Sequence, residues 1–279
     1  MKNIYDIFEE RKNDCILQSI NESFTDIQLY YELQESFLKK EKKSNIIKTI
    51  KTLISKFIKW LNDTCTKCIM YITSNDKIYG LLTQIVAKQA NLEKNNCKIK
   101  VNYYPITIHS INSNFESDID SIKDTMQNSL SDNRDKRFIL HSKTSDGKNR
   151  VFKNKPFIQN ALMEDNMDEF YTNRKELLYI DNDSKKEEYI YDVEGIVSFL
   201  KGARDSIDNI RKRGKEIESI YNNILNKIGN VDEDDIDLSY INSGLTLTTN
   251  VINFYITCII NYYKQYLTIA NKILTTKNK

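Results

Sequence analysis

Proline and glycine are scarce in this chain, at two and seven in 279 residues. Turn-dense β-sandwiches and Gly-rich phosphate loops both need more of them, so neither is expected. Apolar runs are broken by Lys or Asn well before the ~18–20 residues that a membrane-spanning helix requires. The opening MKNIYDIFEERKND is acidic and lacks the apolar stretch of a secretory signal, which predicts synthesis in the cytoplasm. Five cysteines (Cys15, Cys65, Cys68, Cys97 and Cys258) make an odd number in a chain of ordinary size, and reduced thiols follow as the default. A net charge of +2 argues against a strongly nucleic-acid-binding chain, while leaving room for local patches.

What the sequence does contain is helical periodicity. From Ile4 to about Leu38 apolar residues recur mostly at helical spacing among Asp6, Glu9, Glu10, Asp14, Glu22, Asp26, Glu32 and Glu35. The charge then reverses at LKKEKKSN, where Ser44 or Asn45 is a candidate helix cap. The next stretch, IIKTIKTLISKFIKWL from Ile46, repeats apolar residues at i, i+3, i+4, i+7 through Ile72, with lysines mainly on the other side. A third helix is predicted over 78–92.

Near Asn95 the pattern changes. KIKVNYYPITIHSI alternates like a strand with a bulge at Pro105, and Asp118–Leu130 reads as a short helix. Asp146-Gly147 between strand-like runs signals a hairpin, followed by a short helix over 157–170 and the runs ELLYI and EYIYDVEGI. Past Asp192 one long helix is predicted, with a break near Gly202 or Gly214 and a stop at Gly229. DEDDIDLS then links to a last helix from about Ser239 to Leu274. The expected fold class is therefore α+β, mainly α: long amphipathic helices at both ends around a small sheet-containing middle. The corresponding regions are 1–94, 95–191 and 192–279.

Four features invite chemistry, and each has a plainer reading. Cys65-Thr-Lys-Cys68 is the one CxxC, but a zinc site needs four donors, and Cys97, His109 and His141 lack the spacing. The pair also sits late in a helix, on its apolar stripe, where a redox motif would open one; core packing is the expected role. His109 and His141 fall in strand-like segments with no local nucleophile signature, and are expected on a sheet surface. The acidic run Asp232, Glu233, Asp234, Asp235, Asp237 lacks the glycine and terminal Glu of a calcium loop, and reads as a solvated linker. KKEKK at 39–43 and the cluster Arg204, Arg211, Lys212, Arg213, Lys215 invite phosphate contact. The second is interleaved with Asp205, Asp208, Glu216 and Glu218, as a salt-bridged face would be. No catalytic residues, cofactor or metal are predicted.

The segment 46–72 also has the lysines and the flanking Phe57 and Trp60 of an interfacial membrane helix. An acidic helix with its own apolar face precedes it, however. An αα-hairpin between the two would cover both stripes and offset both charge excesses, and that is the preferred expectation.

The order of features resembles the poorly characterised virion structural proteins of large tailed phages of low-GC Gram-positive bacteria. The likeness rests on the acidic N-terminal helix, the lysine-rich IIKTIKTLISKFIKWL, and the aromatic LTLTTNVINFYITCIINYYKQYLTIANKIL, roughly two-fifths of the chain. It implies a non-enzymatic, capsid- or head-associated particle component whose partners are other virion proteins and further copies of itself, with loose contact to packaged DNA. It also implies trimming after sites such as Ile7-Phe8-Glu9 or Leu33-Gln34-Glu35. The expected interaction surfaces are the lysine helix, with Lys48, Lys51, Lys56, Lys59 and Trp60, and the last helix, with Tyr255, Tyr262, Tyr263 and Tyr266. A peripheral membrane protein using 46–72 is the alternative, and an enzyme the third reading.

Overall fold

The computed structural model describes residues 16–30, 43–79, 83–84, 87–88, 98–101, 105–131, 168–177, 189–228 and 238–275. They are almost entirely helical. Helix α1 covers 16–30, α2 Lys43–Tyr79, α3 Ile108–Ser131, α4 Asp168–Asn173, α5 Val193–Ile228 and α6 Leu238–Thr275. A 3₁₀ turn, Lys175–Leu177, follows α4. Among the described residues β structure is confined to one antiparallel pair, β1 Lys98–Val101 with β2 Tyr189–Asp192.

The expectation of an α+β fold with a sheet-containing middle is thus corrected to a helical bundle. Its main error lies at PITIHSI. Ile106 and Ile108 suggested a strand by β-branched alternation, yet the helix that was expected to open at Asp118 already starts at Ile108. Thr107 explains why: its Oγ1 accepts the Ser110 N–H at 3.0 Å and so satisfies a donor that the first turn leaves open. Asp192 does the same for α5, accepting the Gly195 N–H at 2.7 Å. EYIYDVEGI is therefore a short strand running directly into a capped helix. Ser44 and Asn45 lie inside the first turn of α2, not ahead of it. The Asp146-Gly147 hairpin, the linker around 232–237 and most of the helix expected over 78–92 lie outside the described residues.

Helices α5 and α6 form the centre, and α2 and α3 each pack on both. Helix α6 is buried nearly all round. Thr246, Asn250, Asn253, Thr257, Asn261, Lys264, Thr268 and Asn271 recur every three or four residues as its main polar seam, and mostly apolar and aromatic side chains, with Thr248 and Thr249 buried among them, fill the rest. So narrow a polar arc leaves most of the helix circumference to its neighbours. The buried set includes Leu53, Phe57 and Leu61 of α2, Phe115 and Ile119 of α3, and Ile207 and Ile210 of α5. Helix α5 runs unbroken through Gly202 and Gly214. A Cβ on Gly214 would stand 2.7 Å from Leu61 Cδ2 and 3.1 Å from Ile252 Cδ1, so this glycine leaves room on α5 for side chains of α2 and α6.

Helix α1 lies antiparallel on α2, as the order of contacts shows. Lys67 Nζ donates to Ser19 O at 3.0 Å and to Ser23 Oγ at 2.6 Å, Phe24 meets Trp60 at 6.5 Å, and Lys56 stands over the Tyr30 ring at 5.1 Å. Among the described residues the pairing matches the expected hairpin in geometry. The polar contacts from α2 lysines use a backbone carbonyl, a hydroxyl and a ring, and Ile20 and Ile27 supply the buried contact.

Candidate functional site

The most buried polar cluster joins three elements far apart in sequence. Asp118, on α3, has a side chain only 2% exposed, and Arg174, just past α4, one 13% exposed. Arg174 Nε donates to Asp118 Oδ2 at 2.9 Å and Nη2 donates to Oδ1 at 2.6 Å, a bidentate fork. Tyr255 of α6 donates its hydroxyl to Asp118 Oδ2 and accepts from Arg174 Nε at 3.2 Å. Aromatic rings wall the cluster: Phe115 lies 5.3 Å from Tyr255, and Phe170 lies 5.1 Å from Phe254.

Burial and the facing Asp118 charge both drive the Tyr255 phenol well above its ordinary range, so it stays protonated and donates. Burial alone would lower the Arg174 pKa, but the hydrogen bonds and charge of Asp118 reverse that and hold the guanidinium charged. A trio of this kind, with no net charge and its members hydrogen-bonded to one another, locks segment 168–177 onto α3 and α6. Sequence reasoning missed it. Asp118 stood at a helix boundary and Arg174 in an unremarkable NRKELL, 56 positions further along the chain.

Two further tyrosines brace α6 in the same manner. Tyr263 donates to Ile72 O of α2 at 3.1 Å. Tyr266 donates to Ile106 O at 2.7 Å and accepts from Ile106 N at 3.1 Å, pinning the backbone just before α3. Tyr266 also packs edge-on against Phe199 of α5 at 4.6 Å, with Tyr262 beside it. Tyr266→Phe keeps the ring and removes both contacts to Ile106. A loss of about 1–3 kcal/mol in urea-unfolding stability is expected for withdrawing a partner from buried backbone groups. A change near zero would mean that the hydroxyl does not hold this turn.

The residues expected to form interaction surfaces divide cleanly. Lys48, Lys51, Lys56 and Lys59 are exposed on α2, whereas Trp60 is buried. Tyr255, Tyr262, Tyr263 and Tyr266 are fully buried within the chain's own bundle, so they brace the interior and present nothing to a partner. His109 is exposed in the first turn of α3, its Nε2 3.5 Å from Ser113 Oγ; it is on a helix and not on a sheet. His141 and the acids 232–237 lie outside the described residues. In the basic cluster of α5, Arg213 bonds Glu216 at 2.7 Å and also pairs with Asp120, while Lys123 of α3 reaches the same Glu216 at 2.7 Å. Burial would raise the Glu216 pKa, but Lys123 and Arg213 outweigh it and lower the carboxyl's value. Arg211 lies 3.7 Å from Asp208.

Cys65, Cys68 and Cys258 are free and buried. Burial raises all three, Cys65 to about 11 despite the nearby Arg211 and Cys258 to about 12, with Cys68 higher still beside Cys65. High thiol pKa values and no access to solvent make poor nucleophiles. A Cys65→Ala, Cys68→Ala, Cys258→Ala variant is expected to label with a thiol reagent at the wild-type rate while folded. In denaturant the wild type should take up three more equivalents. Faster native labelling of the wild type would show that these thiols are reachable. Among the described residues no group of three His, Cys, Asp or Glu is placed to hold a metal, and no helix is long and apolar enough to cross a membrane.

Among the described residues this geometry defines a class: a helical bundle whose buried polar side chains tie one element to another. No family model, curated protein or solved structure matches the chain.

Proposed function

We propose that this chain is a non-enzymatic structural component of a phage particle, made in the host cytoplasm and incorporated into the virion through contacts with other virion proteins and with copies of itself. One observation carries the non-catalytic part. The buried trio Asp118–Arg174–Tyr255 hydrogen-bonds its members to one another and so couples three elements. Tyr263 and Tyr266 follow the same rule. A bundle cross-braced in this way suits a part that holds its shape within an assembly. The particle itself is inferred from the sequence likeness of the two ends of the chain.

The membrane alternative needs Phe57 and Trp60 turned outward. Both are buried against the bundle, so it is the weaker reading. The test is peptide mass spectrometry on purified particles of the source, with N-terminal peptides scored. Stoichiometric peptides are expected, and a new terminus after Glu9 or Glu35 would add maturation. Absence from particles, with the protein abundant in infected cells, would overturn the proposal.

A further inference from the structure

The exposed side of α2 is basic without interruption along its first half. Lys48, Lys51, Lys56 and Lys59 are all exposed, and at 3.6 residues per turn they fall within an arc of roughly 140°. They span ~16 Å of helix axis at 1.5 Å per residue. Between them stand the exposed Thr52 and Ser55, and the first carboxylate along this face is Asp63. Lys67, by contrast, is committed to Ser19 and Ser23 of α1. Among the described residues none of the four lysines has a carboxylate within ion-pair distance. Lys56 stands over the Tyr30 ring, which leaves its charge uncompensated.

We propose that this face binds the phosphodiester backbone of duplex nucleic acid without regard to sequence. Three classes of partner carry enough negative charge, and the side chains on the face separate them. An anionic membrane would be held by apolar side chains inserted beside the lysines. Here Phe57 and Trp60 point into the core, and among the described residues α1 and α2 expose one large apolar side chain each, Leu29 and Met70, the latter about three turns beyond Lys59. A protein interface is built on a buried aromatic or apolar centre and is depleted in lysine, the reverse of this composition.

Phosphates need neither. Point charges and hydroxyl donors at intervals of one helical turn suit a strand that carries a phosphate about every 3.4 Å of axis. Phe57, the one aromatic residue between Lys48 and Lys59, is buried, and the half-buried Tyr30 ring of α1 is covered by Lys56, so bases have little to stack on and a duplex is favoured over a single strand. Helix α5, where sequence alone placed a basic cluster, is less suited because Arg213 and Arg211 already face carboxylates. The inference stands on this face alone and does not require the chain to reside in a particle.

The test is fluorescence anisotropy of the full chain with a labelled duplex across a salt series. Neutralising Z phosphates gives a slope of about −0.9Z in log K against log salt, so engagement of all four lysines predicts roughly −3 to −4. K48Q/K51Q/K56Q/K59Q should bring the slope near zero and cost roughly a hundredfold in affinity at low salt. K201Q/R204Q/K212Q/K264Q removes the same charge from exposed positions on α5 and α6, and should keep most of the slope. A duplex of shuffled sequence should bind equally, and circular dichroism checks that both variants stay folded. Equal loss in the two variants would reduce the effect to net charge and overturn the proposal. So would absence of duplex binding by the wild type, or lysine-dependent capture by phosphatidylserine vesicles where the duplex is not bound.

Discussion

Asp118→Ala lowers the unfolding free energy by about 3–5 kcal/mol, the expected result of removing one partner from a buried ion pair. The size follows from what is left behind. Arg174 loses both carboxylate contacts while its side chain remains largely buried, and Tyr255 loses the acceptor for its hydroxyl. Arg174→Ala is expected to cost a similar amount, because it leaves a 2%-exposed carboxylate with Tyr255 as its remaining donor in the trio. The double variant Asp118→Leu, Arg174→Met should recover most of the loss, since apolar replacement of a whole buried pair is often neutral or stabilising.

Urea unfolding of the three variants measures both losses and the recovery, and amide exchange localises them. In the single variants residues 168–177 should lose protection first, because Arg174 and Phe170 tie that short stretch to α3 and α6. Single-variant losses below about 1 kcal/mol, the range of exposed pairs, would mean that the trio is not the fastening described.

That trio also shows where the sequence stops being legible. The long helices α2, α5 and α6 could be read from spacing, because an apolar stripe at 3.6-residue period is a local signal with one strong interpretation. The Cys65/Cys68 pair was correctly placed in the core by the same logic. The start of α3 could not be read this way. Ile106 and Ile108 carry strand-like preferences, and the cap at Thr107 that overrides them is a one-atom event. The tyrosines of α6 posed another difficulty. Periodicity required their burial but did not say against what, and the answer was α2, α3 and α5 of the same chain. Asp118, Arg174 and Tyr255 meet only once the bundle has assembled, so no local pattern announces them. The lysine face was visible from the start, but its meaning changed when Trp60 and Phe57 proved to be inside.

Gly214→Val is the second large expected effect, and it tests how closely the central helices approach. On propensity alone, replacing a mid-helix glycine stabilises by some tenths of a kcal/mol. The geometry opposes this. Even a Cβ would stand 2.7 Å from Leu61 Cδ2 and 3.1 Å from Ile252 Cδ1, and both of those side chains are fully buried. Valine adds two methyl groups at the same point, so overpacking should win, with a net cost of about 3 kcal/mol. Leu61→Ala alone should cost ~2–5 kcal/mol through the cavity it leaves. Combined, the two changes should cost less than their sum by about 1–3 kcal/mol, because the valine fills space that the leucine vacates. Thermal or urea unfolding of the four-member cycle gives that difference directly. Additivity within about 0.5 kcal/mol would instead place residues 61 and 214 out of contact, and the packing of α5 against α2 would have to be redrawn around another pair.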